Sequence, residues 1–293
     1  MRHKGHNRPH DVASEKRTAW KRSHPITKEL LAKGAQKFMS KERHPQIDKA
    51  FSPKVHCVCC MDEGTAHMER GSKLFMAGSG ILYPAASWDD RLNRVADLFI
   101  DLHITEITSH DGCGAAGIAF KRDGGGEGTG CKTADEYGEK WCSDLQAIMD
   151  TKLDVPENVE GVQNVHIHEH EMERPGEFHI ARVVWFDATG EFTKPDMLGE
   201  EIPKGFAINY HAFASREMGG YPLSELEVAI KIAFSDHGFD KEFTKGHPFV
   251  IIVIAKDEDQ KKEVTELIGG IMQEKEEISQ YKHRIRIDGF IHE

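Results

Sequence analysis

The chain has no run of about 18 apolar residues, so no segment is long enough to cross a bilayer as a helix. Its first residues also lack the apolar stretch that follows the basic residues of a signal peptide. A soluble, cytoplasmic protein with no membrane partner is the expectation. Cysteine is scarce, and six in 293 residues are too few for a disulfide scaffold. Three of the six crowd into Cys57-Val58-Cys59-Cys60, which points to thiolate chemistry or metal binding. Aromatic residues make up 8% of the chain, and the basic N-terminal segment holds Trp20 as its lone tryptophan. Without alternating aromatic and basic residues it offers no stacking platform, so nucleic acid is not expected as a partner. The glycine-rich stretch 121–130 has no Gly-Lys-Ser/Thr ending, which excludes a P-loop and leaves a flexible surface loop. No Pro- or Ser-rich linker divides the second half, so its last part could extend the first sheet or form a small α/β subdomain.

What is present begins with charge. The net charge of −11 conceals an asymmetry, since residues 1–50 carry 13 Lys and Arg against 5 Asp and Glu while the remainder is strongly acidic. A basic arm beside an acidic body is expected to dock on protein, either its own chain or a partner subunit. The first two dozen residues are polar, and helical apolar spacing starts only at Ile26 and runs to Met39. With 39% hydrophobic residues, the rest of the chain can bury a substantial core.

Beyond the arm, alternating apolar residues predict a strand over Val55–Cys59 that ends in the turn Cys60-Met61-Asp62-Glu63-Gly64. Leu74–Ala77 reads as a second strand ending in glycines, and Ser87 caps a helix with Leu92, Val95, Ala96, Phe99 and Ile100 on one stripe. Ile104–Thr108 is a third strand, followed directly by Ser109-His110-Asp111-Gly112-Cys113-Gly114. Further strands are expected near Ile180–Phe186, Phe206–Tyr210 and Phe249–Ala255, and helices over Tyr137–Met149, Ser224–Phe234 and about Asp257 to Glu277. The fold class that follows is α/β, with a mostly parallel central sheet flanked by helices, an N-terminal helical arm and a C-terminal α/β extension. In such sheets ligands collect beyond the carboxyl ends of strands, where two strands here each deliver Cys or His.

Zinc takes tetrahedral Cys and His ligands, and three protein ligands leave a fourth position for water. Cys60, His110 and Cys113 form such a set, with Asp62 beside it. Cys57 and Cys59 lie on the strand itself and read as core thiols, as do Cys131 and Cys142 for want of a histidine at metal spacing. His166, His168 and His170 would share a strand face and could hold a second metal, but the interleaved Glu169 and Glu171 favour a solvated edge strand.

The order Cys-x-Asp, strand ending in Ala-Gly, helix, strand, His-x-x-Cys-Gly resembles the β-class carbonic anhydrases. Phe75-Met76-Ala77-Gly78-Ser79 is similar to that family's Arg-Asn-Ala-Gly-Asn segment, and Arg182–Phe192 is similar to its last strand and Thr-Gly turn. The likeness covers about residues 55–192. It implies zinc on Cys60, His110 and Cys113, a homodimer, and Asp62 as the catalytic group in reversible hydration of carbon dioxide to bicarbonate, a lyase reaction. Three segments follow: a basic arm at 1–50, a zinc domain at 51–195, and an α/β extension at 196–293 packed on the same body. His67 and His56 are the nearest histidines in sequence for passing a proton to buffer.

One departure stands out. The family completes Cys-x-Asp with Ser-Arg, and this chain has Glu63 and Gly64 there. The missing arginine normally holds the aspartate ionised and off the metal. Asp62 is therefore expected to occupy the fourth zinc position and close the site, unless another cation such as Arg70 or Lys73 restrains it. Hydrolysis of carbonyl sulfide or carbon disulfide on the same site, and a non-catalytic zinc-stabilised scaffold, are the alternative functions.

Overall fold

A computed structural model describes residues 11–156, 158–216 and 218–292. Its strands are β1 (Cys57–Cys59), β2 (Lys73–Phe75), β3 (Glu106–His110), β4 (Gln163–Ile167), β5 (Val183–Asp187), β6 (Gly205–Asn209), β7 (Phe249–Ala255) and β8 (Ile285–Ile291). They form two four-stranded sheets, ordered β2-β1-β3-β4 and β6-β5-β7-β8, and the pairing between neighbours is parallel throughout. The α/β class with parallel strands flanked by helices is as expected from sequence, and its strands are divided between two sheets. At the seam the Asn209 side chain accepts from the Phe75 N–H at 2.6 Å, and the Ala207 N–H donates to the Met61 carbonyl at 3.0 Å. A side chain and a turn carbonyl stand where a continuous ladder would need strand backbone. The strand β5 pairs with β6 and β7, so residues 51–195 and 196–293 share the second sheet.

Every residue of β5, β6 and β7 is buried, as a parallel sheet covered on both faces requires. Alternation along the strands feeds two cores. Val58, Ile107, Val184, Phe206 and Ile251 join Trp141 and Phe99 in one, while Cys57, Cys59, Trp185 and Ile252 join Leu30 and Phe38 in the other. Each core draws on both sheets, which welds them into one body. The helix Trp88–Asp101 starts where expected: the Ser87 hydroxyl accepts from the Asp90 N–H at 3.1 Å, and Leu92, Val95, Ala96 and Phe99 turn inward. The loop after the helix Gly114–Arg122 needs its glycines, because Gly124, Gly125, Gly126, Gly128 and Gly130 all have positive φ.

The arm departs from expectation. Its helix spans Val12–Lys33, much earlier than Ile26, with Asp11 capping the Ser14 N–H at 3.1 Å and Pro25 inside it. Pro25 removes an internal hydrogen bond and masks the helical pattern, so local propensity underestimates the element. Tertiary contacts supply what propensity lacks. Trp20 packs edge-on against Phe239 and Phe243 at 5.1 and 5.4 Å, with the buried Arg182 guanidinium 3.4 Å above its ring. Residues 11–33 therefore lie on the body of their own chain. The first ten residues of the basic arm fall outside the described residues. Among the described residues no helix is long and apolar enough to cross a membrane.

Candidate metal centre

β1 ends one residue before Cys60, β3 ends on His110, and Cys113 caps the helix Gly114–Arg122. Parallel pairing of β1 with β3 sends both carboxyl ends the same way and brings the three together. The ligating atoms of Cys60, His110 and Cys113 lie within 4.8 Å of one another, and the residues are 4, 2 and 6% exposed. Gly78 lets the chain approach both sulfurs: its N–H donates to Cys60 Sγ at 3.2 Å. A Cβ there would stand 2.8 Å from Ile81 Cγ2 and 3.4 Å from Cys113 Sγ, at a φ of +52° that side chains seldom adopt.

The donor chemistry fits a borderline-soft cation. His110 Nδ1 donates to the Asp111 carbonyl at 2.9 Å, which fixes the tautomer, while its Nε2 is buried with no hydrogen-bond partner. A buried ring nitrogen facing two sulfurs is costly unless it is paired or ligated. Contact with Cys113 and burial push the Cys60 thiol up, so two thiolates this close need a positive charge between them. Burial opposes a charged His110, yet Cys60 and Asp62 outweigh it and raise its pKa to about 9. The buried Cys/His/Cys group could hold a metal ion.

Asp62 is not arranged to close the site. Arg174, which no sequence motif marked, meets it head-on: Nε to Oδ1 and Nη2 to Oδ2 are both 2.7 Å, and the two side chains are 2 and 4% exposed. Burial alone would raise the Asp62 pKa, but His179 and Arg174 outweigh it and hold the carboxyl well below the usual range. Both carboxylate oxygens face the guanidinium, so the expected ligation of the metal by Asp62 gives way to an ion pair beside it. The two cations expected to restrain Asp62 are engaged elsewhere, Arg70 with Glu106 at 2.8 Å and Lys73 with Asp196.

Gly64 explains why the arginine comes from so far away in sequence. A Cβ at Gly64 would lie 2.6 Å from Arg174 Cγ and 2.9 Å from Met172 Cε. The missing side chain at 64 is the space through which Arg174 enters. The Gly64 N–H also donates to Asp62 Oδ1 at 2.8 Å. Glu63, fully buried, accepts from His179 Nδ1 at 2.9 Å and from the Ile180 N–H at 2.6 Å. Asp62, Glu63, Arg174 and His179 thus form two carboxylates interleaved with two bases. Only the general weakness of distant pairings in sequence hid Arg174, since nothing local to it differs from a surface arginine.

The two histidines suggested as proton carriers are misplaced for it. His67 is buried, accepts from the Gly205 N–H at 3.3 Å and has its pKa driven down by burial. His56 precedes β1, with the whole strand between it and Cys60. Cys57 and Cys59 are core thiols 3.4 Å apart, as expected. β4 ends at Ile167, so His168 and His170 are not on a strand face with His166.

The fold and site define an α/β protein with two parallel sheets and a buried Cys/His/Cys group suited to a metal ion. No protein-family model, curated protein or solved structure matches the chain.

Proposed function

We propose that the chain is a zinc-dependent lyase of the β-carbonic-anhydrase type, interconverting carbon dioxide and bicarbonate. The observation that carries this reading is the Asp62–Arg174 pair beside Cys60, His110 and Cys113, because it rebuilds from a distant residue the aspartate–arginine pair that the local motif lacks. A zinc ion held by Cys60, His110 and Cys113 would supply the Lewis acidity that makes water a nucleophile near neutral pH. Arg174 keeps Asp62 ionised and fixes both of its oxygens, so the carboxylate would accept a hydrogen bond from a water held beside the three ligands and orient it. Glu63 holds His179, whose Nδ1 lies 3.9 Å from Asp62 Oδ2, and so braces the pair. Since Asp62 needs no alkaline pH to be held off the metal, activity is expected already at neutrality.

The test is stopped-flow hydration of carbon dioxide together with zinc content, for the wild-type chain and for Arg174→Ala. The expected result is one zinc per chain in both, hydration by the wild type at pH 7, and a loss of about 100-fold in the variant, the scale expected when a positioning group is lost and the groups it aligned shift by about 1 Å. A second reading rests on the burial of all three ligands in a single chain, which suits a structural zinc. It predicts full zinc, no hydration by the wild type at any pH, and loss of folding when the metal is chelated.

A further inference from the structure

Asp111, His166 and His168 lie on the outer side of the same strand ends, one residue away from the inner triad. We propose that they form a second, solvent-facing site for a borderline divalent cation such as zinc. The proposal does not depend on the activity proposed above.

The site is assembled by strand register. β3 and β4 pair in parallel with Ser109 opposite His166 and His110 opposite Ile167, which sets Ser109 and His166 side by side on one face. The chain then turns over the end of β4: the Asp111 N–H donates to the Ile167 carbonyl at 3.1 Å, and Asp111 Oδ2 accepts from the Glu169 N–H at 2.9 Å. One carboxylate oxygen is held by a backbone N–H, and the residue's own main chain is pinned to the end of β4. Its Oδ1 lies 2.9 Å from His166 Nε2 and its Oδ2 lies 3.6 Å from His168 Nδ1. All three donor atoms fall within 4.8 Å of one another, and a Glu139 oxygen is 3.9 Å from His166 Nε2 as a fourth donor. Tetrahedral zinc with bonds of about 2.0–2.1 Å places its ligand atoms about 3.3 Å apart, so small side-chain rotations suffice.

The far side of His166 is prepared as a metal ligand's would be. Its Nδ1 is 2.9 Å from Ser109 Oγ. A hydroxyl both donates and accepts, so when a cation takes Nε2 the ring proton moves to Nδ1 and Ser109 turns from donor to acceptor. The ring keeps both partners and no proton is stranded. Two imidazoles and one carboxylate select zinc, cobalt(II) or nickel(II) over magnesium and calcium, which require oxygen ligands. Access is open: His168 is 60% exposed, and with Asp111 and His170 it lines a groove of about 710 Å³ whose inner wall includes Arg174. Asp111 also offers its carbonyl to His110 Nδ1, so a cation drawn to its carboxylate acts on the residue that orients the inner ligand.

The experiment loads the full chain with one equivalent of zinc, removes the excess, and titrates cobalt(II) while recording visible and near-ultraviolet absorption. The expected result is one further equivalent whose visible bands appear without thiolate-to-cobalt charge transfer, and no competition from magnesium in large excess. In His166→Gln/His168→Gln, and in His168→Gln alone as a milder change at an exposed position, this binding weakens by at least about tenfold while the inner zinc stays. A further equivalent seen only with thiolate charge transfer would place the cobalt on the inner cysteines and overturn the outer site. Absence of the second equivalent in the wild type, or its persistence unweakened in both variants, overturns the outer site.

Discussion

Arg174→Ala removes the cation from a pair in which both side chains are nearly inaccessible. Deleting one partner of a buried ion pair costs about 3–5 kcal/mol, because the other is left charged in a poor solvent. Asp62 retains the Gly64 N–H at 2.8 Å and His179 Nδ1 at 3.9 Å, which places the cost near the lower end, about 3 kcal/mol. For a chain of this size that is a fall in Tm of roughly 6–12 °C. The pH dependence has a definite sign. Asp62 has a depressed pKa when folded, so its stabilising contribution is present above its unfolded value of about 3.9 and is lost as pH falls through the folded value. The gap between wild type and variant is therefore full at pH 7 and narrows below about pH 4. Asp62→Asn/Arg174→Met leaves no buried charge of the pair and is expected to be more stable than Arg174→Ala. Thermal and urea unfolding at pH 7 and about pH 3, on protein of equal zinc content, give all three comparisons. A variant within about 1 kcal/mol of wild type at pH 7, with the double variant no better, would refute the reasoning.

Cys60→Ser, His110→Ala and Cys113→Ser should each abolish stoichiometric zinc by elemental analysis, since losing one of three ligands forfeits most of the affinity. Gly64→Ala puts a methyl group against Arg174 Cγ and Met172 Cε and should cost about 1–3 kcal/mol in unfolding experiments, whereas at an open helical position the same change would stabilise. Hydration should fall with it, because the displaced arginine no longer aligns Asp62. Glu225 accepts from the Ala77 N–H at 2.6 Å, and burial raises its pKa from 4.5 to about 7. A raised carboxyl binds its proton more tightly when folded, so stability should decline by about 2–3 kcal/mol as pH rises from about 4.5 to 7. Glu225→Gln should flatten that part of the stability–pH curve. Trp20→Ala should lower stability by about 3 kcal/mol in urea, by uncovering Arg182, Phe239 and Phe243. An unchanged midpoint would mean that the arm is not held by its tryptophan.

Elements whose signals lie in neighbouring residues are legible in the sequence. The Ser87-capped helix, the apolar run of β7 and the strand–turn placement of Cys60 and His110–Cys113 each depend on interactions within one element or its cap. The helix before Pro25 is not legible in this way, because it is held by Trp20 on Phe239 and Phe243, more than 200 residues later. The division into two sheets escapes for the same reason: at the seam the Phe75 N–H bonds to the side chain of Asn209, and the Ala207 N–H to the Met61 carbonyl, all pairings far apart in sequence. His168 and His170 leave the expected strand because Asp111 draws the Glu169 N–H away from strand pairing. The sequence by itself determined the three metal-type ligands and the strand ends that carry them, since spacing within a turn leaves few geometries. Only the tertiary structure decided what Asp62 does, because a glycine at 64 has no side chain to show that its purpose is to admit an arginine from position 174.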